Sequence, residues 1–220
     1  LDHKAYDERW KRWYTCSLCE QRYHGVVKCA LGWACWKTYV GRPEADGSRR
    51  CAMNLLGHGL QNAEHYEAAL SVQETELSML RRLGISERTM LAVQGNLANT
   101  YAELGRLEEA LSMRRDVYAG YLKLCGEDHA ATLQEADNYA NDLLRLQRFE
   151  EAKSLMRKTI PVARRVLGEG NESTLRTMCI YAEALSKDDG ATLDDLREAV
   201  TTLAEITRTA RRVMGGTHPL

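Results

Sequence analysis

The sequence predicts an all-α fold, a right-handed solenoid of four helix hairpins that follows a small Cys/His-rich N-terminal segment. The stretch N-L-A-N-T-Y-A-E-L-G-R-L-E-E-A at residues 96–110 recurs as N-Y-A-N-D-L-L-R-L-Q-R-F-E-E-A at residues 138–152. The two copies start 42 residues apart, and Asn54 lies another 42 residues upstream. A fixed period between about 20 and 50 residues is typical of stacked repeats, each of which buries its apolar face against its neighbours.

The repeat boundaries follow from apolar periodicity and from glycines. Apolar residues recur at the spacing of one helix face, and each second helix ends at a glycine. These glycines are Gly84, Gly126, Gly168 and Gly215, at spacings of 42, 42 and 47 residues. We therefore expect repeats over residues 44–85, 86–127, 128–169 and 170–216. In the fourth repeat, Thr192 and Asp195 have the spacing of a capping box, which predicts a helix start there.

Residues 1–43 differ in composition from the rest of the chain. They contain all four tryptophans, four of the seven cysteines, and 8 Lys/Arg against 4 Asp/Glu, whereas residues 44–220 hold 22 Lys/Arg against 27 Asp/Glu. We place a domain boundary near Pro43. Within this segment, residues 2–14 predict a short basic helix.

The cysteine spacing in this segment is typical of a zinc site. Two thiolates three residues apart can reach one metal from a single tight turn, and a segment this short gains stability from a metal. The alternative is that the thiols pack with the tryptophans in a small apolar cluster. The candidate zinc ligands, of which Cys16 and Cys19 are the strongest and His24 the weakest, are Cys16, Cys19, His24, Cys29 and Cys35.

The repeats resemble the tetratricopeptide arrays of the kinesin light chain and nephrocystin type. That family reads roughly L-G-x-x-H-P-x-T-L-x-x-x-x-N-L-A-x-x-Y-x-x-x-G-x-Y-x-E-A, and L-C-G-E-D-H-A-A-T-L at residues 124–133 and L-G-E-G-N-E-S-T-L at residues 167–175 follow it. The resemblance covers about residues 48–220. The chain begins at Leu1 and stops at M-G-G-T-H-P-L, residues 214–220, which matches the start of another unit, so we expect a fragment or a trimmed gene model. The Cys-rich segment resembles part of a MYND- or RING-like zinc finger.

Two asparagine columns are the candidate binding residues. The resemblance implies that the first helix of each hairpin lines the concave surface, and an amide offers both a donor and an acceptor to the backbone of an extended peptide. The alternative is that the first column bonds the backbone of the neighbouring hairpin. The first asparagine column is Asn54, Asn96 and Asn138, and the second, three residues later, is Asn99 and Asn141.

Several function classes are disfavoured. The net charge of −1 disfavours a nucleic-acid binder, and no run approaches the 18 apolar residues of a membrane span. The chain shows no H-E-x-x-H, G-x-S-x-G or phosphate-loop motif, so we expect no enzymatic activity. An odd number of cysteines, three of them isolated in helical patterns, indicates a reducing, cytoplasmic location.

The sequence thus predicts a protein-interaction scaffold that binds a peptide or helix of a partner protein in its concave groove, without nucleic acid or membrane. One alternative is the substrate-binding adaptor of a ubiquitin-transfer protein, in which a RING-like zinc domain accompanies the repeats. The other is a structural array that self-associates through its uncapped C-terminal repeat.

Overall fold

The fold is described by a computed structural model that covers residues 10–214. The expected all-α class is confirmed, because residues 10–214 fold into helices joined by turns and contain no named strand. In chain order the helices are α1 Gly25–Tyr39, α2 Gly47–Asn62, α3 Tyr66–Arg82, α4 Glu87–Glu103, α5 Leu107–Cys125, α6 Ala130–Arg145, α7 Phe149–Leu167, α8 Glu172–Ser186 and α9 Leu193–Met214.

Helices that follow one another in the chain pack against each other in two compact units, which divide between Arg106 and Leu107. The first unit contains α1 to α4 and the second contains α5 to α9. Part of the predicted helix over residues 2–14, the predicted helix end at Gly215 and the sequence that matches the start of another unit lie outside the described residues. No helix in the described range is long and apolar enough to cross a membrane.

In the first unit, α1 and α2 cross at two glycines. A Cβ atom at Gly59 would lie 2.9 Å from the carbonyl oxygen of Lys28 and 3.0 Å from Cα of Cys29. A Cβ atom at Gly32 would lie 3.1 Å from the carbonyl oxygen of Leu55. The two backbones are therefore in direct contact, and α1, which lies in the predicted N-terminal segment, shares a core with the helices that follow Pro43.

The second unit has an apolar core made from the facing sides of α6, α7, α8 and α9. Small residues let the helices approach, and larger side chains fill the remaining space. The unit also buries ionic groups, described below. The main cluster contains Ala136, Ala140, Met156, Ile180, Tyr181, Leu185 and Ala199.

Polar side chains cap helices at their N-terminal ends. The amide of Asp195 donates to Oγ1 of Thr192 at 3.1 Å and the amide of Thr192 donates to the Asp195 carboxylate at 2.9 Å, which confirms the predicted capping box. His129, before α6, accepts the amide of Ala131 through Nδ1 at 3.1 Å. These contacts satisfy backbone amides that have no partner inside their own helix.

Candidate functional site

Two members of the first asparagine column form hydrogen bonds to neighbouring side chains. Nδ2 of Asn96 on α4 lies 3.2 Å from Nε2 of His58 on α2. Burial, with the Lys28 charge adding, lowers the pKa of His58, so its neutral ring can accept this bond. Nδ2 of Asn138 lies 3.4 Å from Oε2 of Glu135 in the preceding turn of α6. Both amides thus contribute to contacts inside their own unit.

The third member, Asn54, bonds a buried acid. Its side chain hydrogen-bonds the carboxylate of Glu76 on α3, a residue only 3% exposed. Burial raises the pKa of Glu76 to about 7, and the bond from Asn54 offsets part of that rise. Oε2 of Glu76 has no hydrogen-bond partner among the described residues. No sequence motif marks Glu76 as a buried acid. The sequence signal for it was a charged residue at a position where the helical pattern has apolar residues.

The second asparagine column remains accessible. Asn99 on α4 and Asn141 on α6 are both exposed, at equivalent positions of two repeats. On α6, Asn141 shares one side of the helix with Gln134, Asn138 and Arg145, because residues three, four and seven apart lie on one face. We call these four residues the amide face of α6.

A groove lies on the opposite side of α6, between α5 and α7, and has a volume of about 510 Å³. Tyr118 and Tyr139 stack in it, with ring centroids 6.0 Å apart. Leu122, Leu155 and Lys158 also line it. Burial and the Glu127 charge raise the pKa of Tyr118. Sequence reasoning missed this groove, because its tyrosines fit the apolar pattern of core positions.

Two arginines of the second unit, Arg114 and Arg148, form ion pairs with acidic side chains of the same unit. Arg114 is buried between Asp142, whose Oδ2 lies 3.0 Å from its Nε, and Glu135. Arg148 forms a bidentate pair with Glu151, at 2.6 and 2.9 Å. Both side chains therefore already have acidic partners within the second unit.

At the N-terminal side of α1, Cys16 and Cys19 lie in a tight turn. The amide of Glu20 donates to the carbonyl of Cys16 at 3.0 Å, and the amide of Cys16 donates to the carbonyl of Gln21 at 2.9 Å. Backbone amides of Cys19 and Leu18, the Cys19 thiol and the Tyr23 hydroxyl lower the pKa of the Cys16 thiol. The turn therefore brings together the two strongest ligand candidates.

The remaining ligand candidates are not brought to this turn. Cys35 is fully buried with Trp10, Tyr39 and Ala52, and Cys29 is buried in a separate apolar cluster. Burial raises the pKa of Cys35 to about 12. Among residues 10–214, no three His, Cys, Asp or Glu side chains form a group that could hold a metal. The five-residue set Cys16, Cys19, His24, Cys29 and Cys35 is thus not assembled, because α1 carries Cys29 and Cys35 into helix packing.

Helix α9 presents an apolar stripe to solvent. Leu196, Val200 and Leu203 are 42%, 67% and 47% exposed, and Leu193 extends the stripe. Counted back from the glycine that follows each helix, Val200, Leu203 and Thr207 match Lys153, Met156 and Ile160 of α7. On α7 these positions are covered by the next hairpin: Met156 is fully buried, and Ile160 packs on the core of the second unit.

The family comparison supports the fold expected from the repeats. Residues 90–131 and 132–172 each match the tetratricopeptide repeat model. These two ranges, which are less than half of the chain, contain nearly all of α4 to α7. The comparison with curated protein sequences found no match.

Solved structures with the same fold come from several organisms. A Podosopora anserina protein assigned as a kinesin light chain with nearly identical TPR-like repeats is 18% identical, with a TM-score of 0.68, over 86% of this chain and 85% of that one. BtubC (BKLC) from P. vanneervenii is 16% identical, with a TM-score of 0.58, over 88% and 93%. PlcR of Bacillus thuringiensis, in complex with the peptide PapR7 and DNA, is 15% identical, with a TM-score of 0.63, over 87% and 68%. At these identities the likeness shows a tetratricopeptide-like fold.

Proposed function

We propose that the chain is a protein-interaction scaffold that binds an extended peptide of a partner protein through exposed amides on the first helices of its repeats. On this proposal, the hairpin of α2 with α3 and the hairpin of α8 with α9 are further repeats of the same array. The observation that supports it best is the amide face of α6, where Gln134 and Asn141 are exposed. PlcR shares the fold and is named with a bound peptide, which makes peptide binding a function that this fold can perform.

The chemistry of the amide face favours a peptide backbone. Each amide donates and accepts at once, so it can pair with a peptide group whatever side chain that residue carries. The charged neighbours lie beside it: Arg176 on α8, which packs against α6, is exposed and bonds Asp137 at 3.1 Å. Asn99 on α4 is also exposed and offers the same chemistry in the first unit.

The test is a selection of random linear peptides on the full chain, followed by affinity measurement on variants. Asn141→Ala and Gln134→Ala are each expected to weaken a selected peptide about fivefold, the equivalent of one net hydrogen bond of about 1 kcal/mol. Asn62→Ala, an exposed amide at the end of α2, is the matched control. If Leu122→Glu in the tyrosine groove abolishes binding while the amide variants bind normally, the amide proposal is wrong.

The ubiquitin-transfer alternative receives no support from residues 10–214, among which no three His, Cys, Asp or Glu side chains form a group that could hold a metal. Zinc binding stays a prediction of the sequence, with Cys16 and Cys19 as the pair nearest to a site.

A second candidate function is self-association through α9, with a second copy of this chain as the partner. Its support is the apolar stripe, which occupies positions that the next hairpin covers on α7. The first half of α9 carries Asp194, Asp195 and Glu198 against one arginine, whereas the second half carries three arginines against one glutamate. Antiparallel pairing of two α9 helices would set opposite charges side by side, as a two-fold interface requires.

Light scattering over a concentration series tests this candidate. A dimer is expected, and Val200→Glu is expected to make it monomeric, whereas Thr201→Glu, on the side of α9 away from the stripe, leaves it dimeric. A monomer at every concentration would rule out self-association.

A further inference from the structure

The turn that holds Cys16 and Cys19 is closed by backbone hydrogen bonds on both sides. Thr15 and Arg22 form an antiparallel bridge, and the amide of Tyr23 donates to the carbonyl of Tyr14 at 3.0 Å. Glu20 closes the turn with a left-handed backbone, at φ 56°. These bonds hold the two cysteines, three residues apart, within one turn. Residues three apart in one turn generally have Cα atoms within about 7 Å of each other, close to the range in which a disulfide can form.

The side chains of Cys16 and Cys19 interact with each other, and the Tyr23 side chain lies beside Cys16. The Cys19 thiol is therefore next to the sulfur that it would have to join.

The turn is also accessible, in contrast to the cysteines of α1. Leu18, at its tip, is 94% exposed, Cys19 is exposed and Cys16 is partly exposed. Cys29 and Cys35 are buried. A reagent in solution can thus reach the turn, while the neighbouring thiols of α1 are shielded by packing.

We propose that Cys16 and Cys19 form a redox-active dithiol that exchanges with small-molecule disulfides. Among residues 10–214, no third His, Cys, Asp or Glu side chain joins the pair in a group that could hold a metal. This proposal concerns a separate activity and does not depend on peptide binding.

The reaction balances with one disulfide as oxidant. The Cys16 thiolate attacks one sulfur of the small-molecule disulfide, so that a mixed disulfide forms and one small thiolate leaves. The Cys19 thiolate then attacks the Cys16 sulfur, which forms the Cys16–Cys19 bond and releases the second thiolate. Two protein thiols become one disulfide, the small molecule gains both electrons, and the two protons end on the two released thiols or in solvent.

The experiment equilibrates the reduced full chain, with a metal chelator present, in a series of reduced and oxidised glutathione mixtures. Acid quenching, alkylation and peptide mass mapping then identify each oxidised thiol. We expect Cys16 and Cys19 to lose alkylation together, with a mass lower by two hydrogens, in mixtures with at least tenfold less oxidised glutathione than exposed Cys51 and Cys179 require. Thiol reductant should restore both.

Single variants separate the proposal from general thiol oxidation. Cys16→Ser is expected to leave a glutathione mixed disulfide on Cys19, and Cys19→Ser to leave one on Cys16, whereas Cys51→Ser keeps the wild-type midpoint. The proposal is overturned if the pair stays reduced throughout the series, or if the disulfide maps to another pair such as Cys35 and Cys51. It is also overturned if the untreated chain retains one zinc that blocks exchange until chelation.

Discussion

Nε of Arg114 on α5 lies 3.0 Å from Oδ2 of Asp142 on α6, and the two side chains are 1% and 9% exposed. Nη1 of the same guanidinium lies 3.1 Å from Oε2 of Glu135. One buried cation thus joins two acids of the next helix. Such a group is held by its partners rather than by water, so the loss of one partner leaves an uncompensated charge inside the protein.

Replacement of Arg114 by alanine is expected to destabilise the protein by about 3–5 kcal/mol, because Asp142 would remain buried without its cation. Chemical denaturation followed by circular dichroism measures this change. Arg115→Ala is the matched control on the same helix; its side chain is 66% exposed, and we expect a change below about 0.5 kcal/mol. Equal effects of the two variants would show that the buried ion pair does not stabilise the fold.

Glu76 predicts a pH dependence. Its pKa is about 7 in the folded chain, against about 4.5 when exposed, so the folded state binds the extra proton between these values. The contribution of Glu76 to the free energy of unfolding is fully present below pH ~4.5. It decreases as the pH rises and is lost above pH ~7, a total decrease of about 3 kcal/mol. Alkaline conditions therefore weaken the first unit.

The variant Glu76→Gln isolates this effect, because it keeps a polar partner for Asn54 but cannot ionise. We expect it to match the wild type at pH 5 and to exceed its stability at pH 8.5. His58, whose lowered pKa adds a slope of opposite sign, is common to both proteins. Glu74→Gln on the exposed side of α3 is the control, and thermal melts at both pH values are the measurement. A gain at pH 5 as large as that at pH 8.5 would contradict the assigned pKa.

The hairpin turns predict a stabilising substitution. Gln147 has φ 57°, while Gly105, at the equivalent position 42 residues earlier, has φ 76°. A side chain in this left-handed region costs about 1 kcal/mol, partly offset by the greater freedom of glycine in the unfolded chain. We expect Gln147→Gly to stabilise by about 0.5 kcal/mol and Gly105→Gln to destabilise by about 1 kcal/mol. Denaturation midpoints that move in the same direction for both variants would refute this.

Metal removal is expected to leave the helices intact. Helix α1 is held by its crossing with α2 and by the packing of Cys35 against Trp10 and Tyr39. Dialysis against a chelator should therefore leave the helical signal and the melting temperature unchanged, while elemental analysis before dialysis measures any zinc. Unfolding of α1 on chelation would mean that a metal, and not packing, holds the segment.

Much of the fold was predictable because it repeats. The 42-residue period placed the helix breaks, and local chemistry placed the Thr192–Asp195 capping box, which needs only residues close in sequence. The family comparison supports two of the four expected repeats. The crossing of α1 on α2 could not be predicted, because Gly32 and Gly59 matter only once the two backbones are in contact.

The candidate site was harder to predict for a physical reason. Cysteine spacing was interpreted as if residues 16–35 were one loop, whereas a helix begins at Gly25 and turns Cys29 and Cys35 into different apolar clusters. Likewise, the repeated position of Asn54 gave no sign that its partner would be Glu76 on the next helix. Spacing along the chain predicts contacts only within one element or one turn.

The contact between Gly32 and Gly59 also affects how the protein is made. Both glycines lie N-terminal to the second unit in the chain, and their partners in the crossing lie in the same two helices, α1 and α2. N-terminal units generally fold first during synthesis. The α1–α2 pair can therefore pack together while the second unit is still untranslated. Helix α3 can then pack against a pair of helices that is already in place.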